Sequence, residues 1–150
     1  MKIIPKAEVI RRLNMIYAKV PSFECKHCLK CSNPIWWFKP EEINIREYLK
    51  QHHMQYRTYS FEEFKMNHMR CPYLQDNRCS IYPVRPMVCR LQGTIKELPC
   101  PYIKKPLLTE EKYKKIVYEL NMLTKDLDAL GEYFGTRKML NSTIVSAQSE

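Results

Sequence analysis

Apolar residues recur at steps of three and four in three stretches of this chain, and that period predicts a helix in each. The first carries Ile10, Leu13, Tyr17 and Val20; Pro5 supplies a φ suited to a first helical position, and Pro21 stops the helix. The second opens at Pro40-Glu41-Glu42, with carboxylates where the helix dipole favours them, and lines up Ile45, Leu49, His52 and Tyr56. The third is the longest stripe, Tyr113, Ile116, Leu120, Leu123, Leu127, Leu130 and Phe134. Thr109 caps it, Glu110 to Lys114 and Glu111 to Lys115 form i,i+4 pairs in the favoured order, and Gly135 with Arg137 and Lys138 ends it. This seam is narrow, as in a coiled coil. Packing on its own domain is the default expectation; the alternative is that its C-terminal end pairs with a second copy or a larger enzyme subunit.

Shorter signals fill the space between. Ser60-Phe61-Glu62-Glu63 is a capping box with Tyr59 and Phe64 at the staple positions, so a short helix is expected to run to about Met69. Tyr73-Leu74 and Cys79-Ser80-Ile81-Tyr82 flank Gln75-Asp76-Asn77-Arg78, whose Asp-Asn pair suits a turn, and the segment reads as a small hairpin. Five prolines between Pro83 and Pro106 argue against a long helix and for an irregular wrap. The expected fold is therefore mainly α, with irregular cysteine-rich loops, one small β-hairpin, a metal-centred core and a long C-terminal helix. It divides as an N-terminal helix over 1–22, a cysteine-cluster core over 23–106, the long helix over 107–135 and a tail over 136–150, all in one domain. No internal repeat is present.

The metal enters through the cysteines. Cys25-Lys26-His27-Cys28-Leu29-Lys30-Cys31 sets three thiols at C-x2-C-x2-C spacing, and Cys71, Cys79, Cys89 and Cys100 follow. Soft sulfur ligands converging from one loop suit a [4Fe–4S] cluster or zinc, and two steps sharing a middle cysteine lean towards iron–sulfur. Cys71-Pro72 and Cys100-Pro101 add the cysteine–proline pairing of ferredoxin-type sites. Arg85 and Arg90 flank Cys89 and are candidates to donate to cluster sulfurs or a bound anion, or else to pair with carboxylates. His52 and His53 lack zinc-finger spacing and are not expected as ligands; His27 lies between thiolates. Seven thiols exceed one four-cysteine site and fall short of two, so one or two centres both remain open.

Composition limits the alternatives. With 150 residues the chain can bury roughly two-thirds of its unfolded surface without metal. An odd cysteine count and the polar start Met1-Lys2-Ile3-Ile4-Pro5-Lys6 argue against a disulfide framework, so a cytoplasmic location is expected. No apolar run approaches the ~20 residues of a membrane span. The net charge is +9, from 25 Lys and Arg against 16 Asp and Glu, but the lysines are dispersed, so nucleic acid is a disfavoured partner. Only three glycines are present, leaving no Gly-rich cofactor loop, and neither a C-x3-C-x2-C radical motif nor a Ser-His-Asp signature occurs.

Phe23 through Cys31 together with Cys71 through Arg90, which contains a C-x-I-Y and an R-P-x-x-C-R, resembles the YkgJ-like cysteine-cluster family, described as zinc- or iron-chelating domains. A similar cluster occurs in a flagellin lysine N-methylase, so the resemblance implies iron–sulfur chemistry and admits methyl transfer. Members usually end the first block with two adjacent cysteines, whereas Ser32 follows Cys31 here and Cys100 lies outside the usual block. Either Cys100 takes the missing place or it is a core thiol beside a six-cysteine site. Three functions follow as expectations: an iron–sulfur protein that transfers electrons or carries a cluster for a larger system, a zinc-stabilised binding module, or an iron–sulfur methyl-transfer enzyme or subunit.

Overall fold

The structure, a computed structural model, describes residues 4–26 and 37–130, the last three without their side chains. In chain order it runs α1 (Lys6–Tyr17), α2 (Lys39–Gln51), α3 (Phe61–Met66), β1 (Leu74–Gln75), β2 (Arg78–Cys79), a 3₁₀ turn (Tyr82–Val84), α4 (Met87–Leu91) and α5 (Glu110–Leu130). The mainly α reading with one hairpin and a long C-terminal helix is the fold observed. Among the described residues no helix is long and apolar enough to cross a membrane.

Boundaries and faces differ in detail from the periodicity. Pro5 is the N-cap of α1, in extended backbone at ψ 149°, and Lys6 is the first helical residue. The buried face of α1 is Val9, Leu13, Ile16 and Tyr17; Ile10 and Val20 lie at its edges, because the helix ends four residues before Pro21. The capping box at α3 forms in both directions, Glu63 N–H to Ser60 Oγ and Ser60 N–H to Glu63 Oε1, each at 3.1 Å. Tyr59 packs edge-on to Phe64 at 5.4 Å as a staple should. The helix stops at Met66, three residues short of expectation, because His68 and Met69 take left-handed φ values of 56° and 62°. The proline-rich segment is not irregular throughout; it contains the 3₁₀ turn and α4, both one turn or so long.

Among the described residues two apolar cores form. In the first, Leu13, Ile16 and Tyr17 of α1 meet Ile116, Leu120 and Leu123 of α5, with Met87 and Leu91 of α4. Ion pairs Arg12–Asp126 at 2.9 Å and Lys19–Glu119 at 2.6 Å flank this α1–α5 seam, and at such exposure they fix alignment more than stability. The seam of α5 closes on its own chain as far as Leu127, which is fully buried; Leu130 and Phe134 lie outside the described side chains. In the second core, Trp37, Ile45, Leu49, Phe64, Tyr73, Ile81 and Val84 pack together, with Cys71 and Cys79 on its border.

The two acidic residues at the start of α2 separate these cores. Consecutive helical positions point about 100° apart, so Glu41 and Glu42 reach different surroundings, and neither lies in solvent as dipole partners usually do. Glu42 accepts hydrogen bonds from Trp37 Nε1 and, at 2.8 Å, from Arg46 Nε. Glu41 has no exposed surface and accepts from Tyr17 Oη at 2.6 Å, from Phe38 N–H at 3.2 Å and from Met87 N–H. One carboxylate thereby joins α1, the start of α2 and the start of α4.

Burial raises the Glu41 carboxyl from its ordinary 4.5 to about 7, against the three donors and the Arg90 charge, which favour ionisation. The folded state then holds a proton that the unfolded chain has released. Its stabilising contribution is complete below about pH 4.5 and is lost as the pH rises through about 7. Glu41→Ala, which orphans buried donors, is expected to cost ~3 kcal/mol in urea unfolding. Glu41→Gln should cost less and flatten the fall in stability between pH 5 and 7; an unchanged slope in that variant would remove the carboxyl from this role.

Candidate metal centre

Three cysteines are brought to the border between the cores by three different local devices. The left-handed pair His68-Met69 turns the chain at the end of α3, with Met69 N–H returning to Phe64 O at 2.6 Å, and delivers Cys71. Asp76 and Asn77 both have positive φ, 49° and 62°, the signature of a two-residue type I′ hairpin turn. Its register pairs Leu74 with Cys79, so the hairpin carries Cys79 back towards Cys71. Cys89 comes from α4, whose approach is held by Arg90: its Nε donates to Arg85 O at 2.8 Å and its Nη2 to Pro83 O at 3.0 Å. The same guanidinium lies 3.7 Å over the Tyr17 ring.

The sulfurs share an environment. Cys71 Sγ accepts the amide of Tyr73 at 3.4 Å, and Cys79 accepts that of Ile81, so in each case the residue two along the chain aims its N–H at sulfur. Such amides favour the thiolate, as they do around metal-bound sulfur. Burial opposes them: it pushes the Cys71 thiol up to about 12, the Cys79 thiol up, and the Cys89 thiol far up. Cys89 is raised further by Cys71 and Cys79, which places the three close enough to repel one another if ionised, and by Glu41; Arg85 pulls Cys79 and Cys89 the other way. Without a cation these groups stay protonated at neutral pH. A bound metal reverses that balance, since a coordinating thiol is deprotonated outright.

The remaining candidates divide. Cys25 is exposed, and Cys28, Cys31, His27 and Ser32 lie outside the described residues. Cys100 is placed against the entrance to the first cysteine block. Gly93, at φ +85°, fits between them: a Cβ there would stand 2.5 Å from the Phe23 ring and 3.1 Å from Cys100 Cβ. Among the described residues no disulfide forms, and no group of three or more His, Cys, Asp or Glu side chains converges tightly enough to hold an ion. The donor chemistry therefore suits a thiophilic metal, while the described thiols alone do not close a site.

Arg85 and Arg90 take different parts. Arg90 is committed to carbonyls and to Tyr17, whereas Arg85 spends one bond on Tyr82 O at 3.0 Å and stacks 4.0 Å over the Tyr82 ring. His52 caps α2 at the surface, stacked on Tyr48 at 4.0 Å. Three residues of the site escaped sequence reading. Glu41 looked like an ordinary helix-dipole partner, Tyr17 an ordinary core aromatic, and Gly93 carried no signal beyond being one of only three glycines.

The family model CxxCxxCC, with the description "Putative zinc- or iron-chelating domain", matches residues 24–109. No curated protein and no solved structure matches the chain. The match covers more than half of the 150 residues, every described cysteine and α2 through α4, and the chain belongs to that family.

Gly93→Ala tests the junction between Cys100 and Phe23, the residue at the entrance to the first cysteine block. Left-handed backbone and a collision with the Phe23 ring should together cost ~2–3 kcal/mol. Thermal unfolding should report the loss, and Phe23→Leu in the same chain should recover part of it. Wild-type stability in Gly93→Ala would show that Phe23 and Cys100 are not held together through this glycine.

Proposed function

We propose that this member of the chelating family holds an iron–sulfur cluster and acts as an electron-transfer or cluster-carrying component of a larger enzyme system. The observation that supports this most is the grouping of Cys71, Cys79 and Cys89. These half-buried thiols, two of them with an amide aimed at sulfur, have Arg85 near enough to stabilise negative charge on Cys79 and Cys89. The proposed ligand set is Cys25, Cys28 and Cys31 with Cys71, Cys79 and Cys89, and Cys100 as the seventh thiol. Such a cluster supplies one-electron chemistry at a potential tuned by hydrogen bonds to sulfur and by solvent exposure. The chain's own part is to keep water from the sulfurs, to direct amides at them and to balance their charge with Arg85. A [4Fe–4S] cluster is favoured over zinc by the C-x2-C-x2-C run and the two cysteine–proline pairs.

Protein purified without oxygen should be brown, absorb broadly in the visible and release acid-labile sulfide in proportion to iron. Colourless protein with stoichiometric zinc under the same handling would replace the iron–sulfur reading with that of a zinc-stabilised module. Serine at Cys25 or Cys28 should lower metal content, and unchanged content in both would end the ligand proposal.

The seventh thiol has its own test. If Cys100 fills the place left by Ser32, Cys100→Ser should lose metal to about the extent of Cys89→Ser, and Ser32→Cys should restore part of it. Full metal content in Cys100→Ser would make it a packing thiol against Phe23.

A further inference from the structure

A cavity of about 410 Å³ opens between the end of α1 and the arginine-bearing segment that leads into α4, lined by Tyr17, Val20, Ser22, Tyr82, Arg85 and Arg90 among others. Its charge is unbalanced. Among the described lining residues, two carry guanidinium groups and none carries a carboxylate. Burial lowers the proton affinity of Arg90, and Arg85 is close enough to lower it further. The fold keeps them together nonetheless: each is stacked on a tyrosine, at 4.0 Å and 3.7 Å, and each is tied to backbone carbonyls of Tyr82–Arg85. Such anchoring fixes the planes of both forks before any ligand arrives. Among the described residues Arg90 commits Nε and Nη2 to carbonyls, whereas Arg85 donates through Nη1 alone, so the rest of the Arg85 fork faces no acceptor there.

We propose that this cleft is an oxyanion-binding site, taking the carboxylate or phosphate of a small molecule on the Arg85 fork, with Arg90 supplying a second positive charge. Planar paired donors match a carboxylate or phosphate edge, and confinement beside low-dielectric walls strengthens the attraction relative to open solvent. Tyr17, Tyr82 and Val20 also line the cleft and add apolar surface for the uncharged part of such a ligand. The buried carboxyl of Glu41 lies behind the Tyr17 hydroxyl, which it holds at 2.6 Å, so it is shielded from the ligand by that ring. Because Arg85 also acts on Cys79 and Cys89, the anion would sit beside the candidate metal centre.

Isothermal titration of the full-length protein with inorganic phosphate and, separately, with succinate, at ionic strength held constant by sodium chloride, tests the site. At least one probe should bind saturably, and which one binds tighter identifies the headgroup. Arg85→Gln should weaken it about tenfold or more, and Arg85→Lys by less, since the charge stays while the fork is lost. Ser22→Asp, at an exposed position of the cavity wall, should weaken it without touching either arginine. Metal content of Ser22→Asp, which carries no part in the proposed metal centre, should be that of the wild type, and this keeps the result separate from the cluster proposal. Binding no better than the chloride background, or affinities in Arg85→Gln and Ser22→Asp equal to the wild type, would overturn the proposal.

Discussion

A carboxylate without water must be surrounded by donors, and this protein arranges three of its elements around one. Glu41 receives Tyr17 from α1, Phe38 from its own helix start and Met87 from the start of α4. An ionisable group so enclosed stabilises a structure only when its partners are all in place, and leaves a large penalty when one is missing. The arrangement therefore makes the docking of α4, and with it the position of Cys89, conditional on α1 and α2 being correctly packed. An apolar residue at 41 would fill the space but would leave the Tyr17 hydroxyl and the Met87 amide without acceptors.

The candidate centre gains its character from lying between two cores and not within either. Cys71 and Cys79 border the Trp37–Phe64–Tyr73 core, while Cys89 rides on a helix whose Met87 and Leu91 belong to the α1–α5 core. Sulfurs so placed are shielded enough to resist ionisation by themselves. They are still served by backbone amides and by Arg85, which reward negative charge once a cation is present. Membership of a zinc- or iron-chelating family accords with that balance.

Helices and capping were legible in the chain because they rest on local rules. Periodicity located α1, α2 and α5, and the box at Ser60 and Glu63 formed as read. The hairpin was legible because Asp76-Asn77 tolerates left-handed backbone. What escaped depends on partners distant in sequence. Nothing near Glu41 announces that Tyr17 and Met87, 24 and 46 residues away, will close over it. On α1 the reading found Leu13 and Tyr17 but took Ile10 and Val20 in place of Val9 and Ile16, because the cover comes from both α2 and α5, and the short helix α4 was hidden by the prolines around it. The cysteine pattern was plain from spacing, but the protection of Cys71, Cys79 and Cys89 is a property of the packed molecule.

The pairing of the first helix with the last has a consequence for how the chain comes to be made. Lys19 meets Glu119 across 100 residues and Arg12 meets Asp126 across 114, so the apolar stripe of α1 finds its cover among the last-synthesised described residues. On a ribosome adding ~5–20 residues each second, that stripe emerges many seconds before α5 does. Until then α1 has α2 to rest on along one side and water along the other. Chaperone capture in this interval, and vulnerability to chain truncation anywhere before α5, are built into the order of the elements.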